Sequence, residues 1–218
     1  MRAFEAVSDL RFSRGVVRGL VLAAALLPGA CASKLARAPQ TFTIDPPPPR
    51  AAVPASATAI LSLRSVEVAP TYAGAALVYR VGGHGIERDP YASLAAPPAW
   101  ILTSAIRGYL KDSPFVRDVV VPGESLPVDA AIEPSAIELA GDFSSTAGPA
   151  AVLTLQFRVL APSAGAAPPR EMLLKSYTRR VGLSRRTAAS VVAAWNEGLA
   201  EIMADFLTDL RAALPARP

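Results

Sequence analysis

Apolar and polar residues alternate along Leu61-Ser62-Leu63-Arg64-Ser65-Val66-Glu67-Val68, the two-residue period of a strand with one face in a core. The alternation slips by one place at Ser65, which marks a bulge, and Pro70 ends the strand. Ala76-Leu77-Val78-Tyr79-Arg80-Val81 forms a second strand, and Gly82-Gly83-His84-Gly85 supplies the positive-φ residues of a tight turn into a short third one at 85–88. The period then changes to three and four. Leu102, Ala105, Ile106, Tyr109 and Leu110 share one face of a helix that opens at Pro97-Pro98 and stops at Ser113-Pro114.

A strand at 116–121 follows, then three longer ones at 128–139, 151–160 and 172–181, joined by loops rich in Gly, Ser and Pro. Pro134 in the first of these suits an edge or a bulge. Ser184 is placed to cap a last helix from about Arg185, with Ala188, Val192, Trp195, Leu199, Ile202, Met203, Phe206 and Leu210 as its buried stripe. Consecutive strands joined in this way favour a meander. The predicted class is α+β: a single, mainly antiparallel sheet with two helices packed on one face, and an open face or edges left for partners.

The first thirty residues do not belong to that pattern. Arg11, Arg14 and Arg18 precede a short uncharged run from Leu20 to Leu27, far below the ~20 apolar residues that span a bilayer. Pro28-Gly29-Ala30 ends the run, and Cys31, the only cysteine of the chain, follows at once. The arrangement resembles the bacterial lipobox, in which small residues precede a cysteine whose sulfur receives a diacylglyceryl group. An ordinary secretory signal with an incidental cysteine is the alternative. A free exposed thiol suits an exported protein poorly, and each buried methylene of an attached lipid adds ~0.8 kcal/mol of membrane affinity. Ala32 after the cysteine favours the outer membrane, by analogy with lipoprotein sorting in enterobacteria. Prolines 39, 46–49 and 54 then make the following stretch an extended tether. The expected organisation is a signal peptide at 1–30, an acylated and flexible segment at 31–58 and a folded domain at 59–214.

Composition narrows the function. The net charge of +4 includes +2 from residues 1–30, where four arginines face two acids, so the rest of the chain is nearly balanced. A pI of 9.6 is therefore no sign of a nucleic-acid partner, which would need a basic face. The densest cluster, Arg179, Arg180, Arg185 and Arg186, reads as a solvated edge, with an acidic partner or anionic headgroup as the alternative. One cysteine excludes an intrachain disulfide, and one histidine, His84, in a glycine turn, gives no basis for a metal site or cofactor. There is no G-x-S-x-G elbow, no H-E-x-x-H and no phosphate-binding glycine loop. A binding role is expected in place of catalysis, a periplasmic enzyme being the remaining alternative.

Val66-Glu67-Val68-Ala69-Pro70-Thr71-Tyr72 followed by Leu77-Val78-Tyr79-Arg80 is similar to a strand, a "P-x-Y" turn and a "V-Y-R" strand in the auxiliary lipoproteins of ABC-type transport systems, the family that includes paraquat-inducible protein C. Tyr91 through Pro98 is similar to that family's approach to its first helix, and 188–210 to its closing helix. The resemblance covers 60–210 with the Cys31 anchor. It implies a periplasmic, lipid-anchored accessory of an ABC permease and ATPase and of an MCE-domain substrate-binding protein, in systems that move lipids or other apolar compounds. It implies partner contacts at Pro70, Tyr72, Tyr79 and Arg80, whose purely structural reading is a turn proline, sheet-facing tyrosines and an edge arginine. The oligomeric state stays open, a homo-oligomer included. An interaction lipoprotein of another envelope or secretion machine is the competing reading.

Overall fold

The computed structural model describes residues 38–45, 57–123, 126–162 and 168–215. Cys31, the signal segment and most of the expected tether lie outside these residues. Among the described residues the elements are β1 (Gln40–Phe42), β2 (Ala59–Leu63), β3 (Glu67–Val68), β4 (Ala76–Val81), β5 (Gly85–Leu94), α1 (Pro98–Lys111), β6 (Val116–Val120), β7 (Ala130–Asp142), β8 (Ala150–Leu160), β9 (Glu171–Gly182) and α2 (Ala188–Ala213).

β7 is the spine. On one edge it pairs antiparallel with β8 from Ala131 to Asp142, and β8 pairs antiparallel with β9 over its full length. On the other edge three short strands follow one another, all parallel to β7: β2 at Ala130–Ile132, β3 at Ser135–Ala136 and β4 at Gly141–Asp142. β6 lies parallel beside β2, β5 folds back antiparallel on β4, and β1 runs parallel to β5. The expectation of a mainly antiparallel sheet is thus corrected to a mixed sheet, in which five of the eight pairings are parallel. The meander holds for β7–β8–β9 but not for β6, which joins β2. A parallel pair needs a crossover instead of a hairpin, and α1 supplies one on the path from β2 to β6.

The other departures are local. The single strand expected to span Leu61 to Val68 is two, because the slip at Ser65 is a break: the amide of Val66 donates to Thr103 Oγ1 of α1 at 2.8 Å instead of to the sheet. Residues 40–45, expected within the flexible tether, contribute β1 and the buried Ile44. β5 continues beyond the expected 85–88 to Leu94, with its pairing interrupted between Arg88 and Ser93 around Pro90. Pro134 lies in a central strand. Backbone groups of alternate residues face the same edge, and the carbonyls of Ile132 and Ala136 accept from Arg64 and Ala69 on the β2/β3 side. Residue 134 faces that side too, at the gap between β2 and β3, where no donor is required.

The core forms where the helices meet the sheet. Leu63, Ile132 and Val159 are cross-strand neighbours on one face, which also carries Leu153, Leu155 and Phe157 of β8. α1 adds Leu102, Ile106 and Leu110, and α2 adds Trp195, Leu199, Ile202, Met203, Phe206 and Leu210, to the same buried cluster. The two helices therefore cover one face, as the periodicity predicts. Phe157 and Phe206 stack with ring centroids 3.9 Å apart, and Tyr177 meets both edge-on. Trp195, 1% exposed, keeps its indole N–H satisfied by the carbonyl of Val152 at 3.2 Å. α2 begins later than expected: its cap is Thr187, whose side chain accepts from the amide of Ser190, and not Ser184.

The opposite face is polar. Arg64–Glu133, Gln156–Ser176, Thr154–Thr178 and Arg158–Glu171 pair across its strands. Its residues on β7 are odd-numbered at Glu133 and Ser135 and even-numbered at Glu138 and Asp142. The change of phase occurs at Ile137, a bulge residue left exposed between Ala136 and Glu138. Without that extra residue, Glu138 and Asp142 would point into the helix-covered core.

Candidate interaction site

The stretch that carries the family resemblance folds into one corner of the sheet. Ala69 leaves β3 with its amide bonded to the carbonyl of Ala136, and Pro70, with its φ already fixed, opens a single 3-10 turn, Pro70–Tyr72. The turn closes by donation from the amide of Tyr72 to the carbonyl of Ala69 at 2.8 Å. Pro70 is exposed and Tyr72 half-buried.

Tyr79 and Arg80 are consecutive in β4, so they leave opposite faces of the sheet. Tyr79 turns towards α2. Its ring stacks on Phe143 at 5.0 Å, its hydroxyl donates to Asp89 at 2.8 Å, and it covers Gly141, where a Cβ would lie 2.8 Å from the ring. Arg80 turns to the polar face. It bridges Glu138 at 2.6 Å and Asp142 at 3.2 Å, and Arg180 of β9 reaches the same Asp142 oxygen from the other side. The other oxygen of Asp142 accepts from the Ser144 hydroxyl at 2.7 Å and the Ser144 amide at 3.0 Å.

Burial of Asp142 by itself would raise its pKa. The bonds from the Ser144 hydroxyl, Arg180 and the Ser144 amide, with the charge of Arg80, outweigh that and hold the carboxyl well below the usual carboxylate range. Burial pushes the Tyr72 phenol up, Glu138 adds to the rise and Arg80 opposes it, so Tyr72 sits in the field of the Arg80–Glu138 pair. Of the four residues implied by the resemblance, Tyr72 lies within electrostatic reach of Arg80 and Glu138, Pro70 opens the turn that carries Tyr72, and Tyr79 packs on the covered face. His84 lies in the β4–β5 turn, where Gly83 has a φ of +64°, beside a hollow of 360 Å³ that also touches Arg80, Asp142 and Ser144.

Three of the four clustered arginines have local partners, and Arg185 is exposed. Arg179 is held by Glu201 and Asp205 of α2, Arg180 by Asp142, and Arg186 lies over the Phe143 ring at 5.6 Å. An unanticipated feature stands on α1. Trp100 is 72% exposed and forms one wall of a 530 Å³ groove between α1 and residues 43–45. The sequence signal for it was that Trp100 falls off the apolar stripe of α1. Among the described residues, no helix is long and apolar enough to cross a membrane.

Comparison with known proteins agrees with this architecture. Residues 42–206 match the family model described as ABC-type transport auxiliary lipoprotein component. No curated protein matches the chain in sequence. The crystal structure of protein XCC0632 from Xanthomonas campestris, of the DUF330 family model, superposes with a TM-score of 0.67 at 16% identity, over 80% of this chain and 96% of that one. A second crystal structure, of an uncharacterized protein, gives a TM-score of 0.60 at 13% identity, over 79% of this chain and 99% of that one. At these identities the structures show a shared fold. The family match takes in every element from β2 to β9 and most of α2, and on that match the chain belongs to the ABC-type transport auxiliary lipoprotein components.

Proposed function

We propose that the protein is a lipid-anchored periplasmic accessory of an ABC system that works with an MCE-domain substrate-binding protein to move lipids or other apolar compounds. The family match over residues 42–206 carries the reading. The short apolar run at 20–27, followed by Pro28-Gly29-Ala30-Cys31, supports acylation at Cys31, with the outer membrane favoured by Ala32. Anchoring confines the domain to a surface, and a proline-rich leash raises its effective concentration at a partner on the facing side. The role is docking and not bond-making.

The contact residues we assign are Pro70, Tyr72 and Arg80, at the turn and on the polar face. Tyr79 serves by holding β4 against Phe143. Mass analysis of the protein purified from its own membranes is expected to show a diacylglyceryl thioether on Cys31, and Cys31→Ser should release the chain into the soluble fraction. Co-purification with an MCE protein is expected to fall in a Tyr72→Ala/Arg80→Gln double variant whose circular dichroism is unchanged. An unmodified, soluble wild-type chain would refute the anchor. Undiminished co-purification would remove the two residues from the contact.

A further inference from the structure

The groove beside α1 has a chemistry of its own. Its lining is mixed: Ile44, Ile101 and Ala105 contribute apolar surface beside Thr43 and Ser104, and the Trp100 indole stands exposed at its wall. Tryptophan is among the residue types most enriched at binding hot spots, and this one stands exposed beside a concave surface. The outer row of α1 steps down from Trp100 to Ser104 and Gly108, where an added Cβ would meet no atom within 4 Å, so an incoming chain has room there.

The rim is acidic at both ends. Asp45 and Asp112 line the groove, both are exposed, and neither side chain makes an ion pair with another described residue. Asp112 is the C-cap of α1. Its carboxylate adds negative charge where the helix already concentrates carbonyl oxygens, a position that favours a cation. Trp100 adds a third attraction for a cation, through its ring face. These charges disfavour an anionic membrane and fit a basic, partly apolar polypeptide.

We propose that this groove docks a segment of a partner polypeptide carrying a bulky apolar side chain flanked by lysine or arginine, with Asp45 and Asp112 as its charge partners. The inference deepens the accessory role proposed above and rests on it.

The test is photo-crosslinking in cells with the full chain bearing Ser104→p-benzoylphenylalanine. The expected result is an adduct with another protein, whose crosslinked peptide, sequenced by mass spectrometry, has an apolar residue between cationic ones. Asp45→Lys with Asp112→Lys in the same chain should lower the adduct yield by about tenfold or more, with an unchanged melting temperature. The proposal is overturned by an adduct with residues 46–56 of this chain, with a second copy or with lipid. A partner peptide without cations, no adduct, or a yield indifferent to the charge reversals overturns it equally. Co-purification of the transport components with the charge-reversed chain would sink the groove alone and leave the accessory role standing. Their absence from the wild-type preparation, beside a sequence-conforming adduct, would sink the accessory role alone.

Discussion

Asp142 meets two guanidinium groups from opposite sides, Arg80 from β4 and Arg180 from β9, and so ties together strands on both sides of β7 and β8. Its residue exposure is 4%, whereas both arginines are partly in solvent. Removing its charge leaves Arg180 without its carboxylate and Arg80 held by Glu138 alone. Asp142→Asn should cost about 2–3 kcal/mol, below the range for a fully buried pair because water screens the arginines. The pH dependence has a definite sign. A carboxyl with a depressed folded pKa contributes its full stabilisation above the unfolded value of about 3.9 and loses it as pH falls through the folded value. The gap in unfolding free energy between wild type and Asp142→Asn should therefore be constant above about pH 5 and shrink towards about pH 2. Urea melts of both chains at several pH values check this, and a gap that widens with acid would contradict the assignment. The residues at this corner could be picked out from sequence, because "P-x-Y" and "V-Y-R" are local patterns. Their partners could not. Glu138 and Asp142 come from a strand some sixty residues away, and their facing depends on the extra residue Ile137, which no short-range periodicity marks.

At the scale of elements, α2 was the easiest to read and the sheet the hardest. A 26-residue helix with a continuous apolar stripe leaves little ambiguity about its buried side. Its start was ambiguous, since Ser184 and Thr187 are both capping residues. Thr187 prevails because its side chain reaches the Ser190 amide, three residues on. Thr187→Ala should lower stability by about 1 kcal/mol, and Ser184→Ala should leave the melting temperature within error. Equal losses at the two positions would mean that the helix begins earlier in solution. β4, β6, β8 and β9 were located to within a residue, whereas β1 was missed, β2 and β3 were read as one strand and β5 was read too short, and most of the pairing was not legible. Alternation tells a strand which face is apolar and says nothing about which neighbour lies alongside. Three hairpin connections, β4–β5, β7–β8 and β8–β9, were inferred correctly from their turns and loops. The parallel strands along the other edge of β7 have no adjacent turn to announce them.

For the whole molecule, the folded unit reaches further towards the N-terminus than its hydrophobic pattern implied. β1 lines the outer side of β5, and Ile44 is buried in the common core. Three residues of strand amid prolines fall below the length at which periodicity is detectable, so only tertiary pairing reveals them. A protein starting at Ala57 should therefore be less stable than one starting at Ala38, by about 2 kcal/mol for the lost burial of one isoleucine alone. Calorimetry of the two forms would settle the boundary, and identical melting curves would return residues 40–45 to the leash.

The placement of β2, β3 and β4 against β7 also bears on how the chain is made. An exported polypeptide enters the far compartment amino end first, and these three segments arrive well before residues 130–142, which pair with their inner edge. In the interval the amides and carbonyls of that inner edge are an open template for any other strand nearby. Maturation of this domain is then gated by the arrival of one late segment, and its yield in the cell should depend on helpers that shield the nascent amino half until that segment appears.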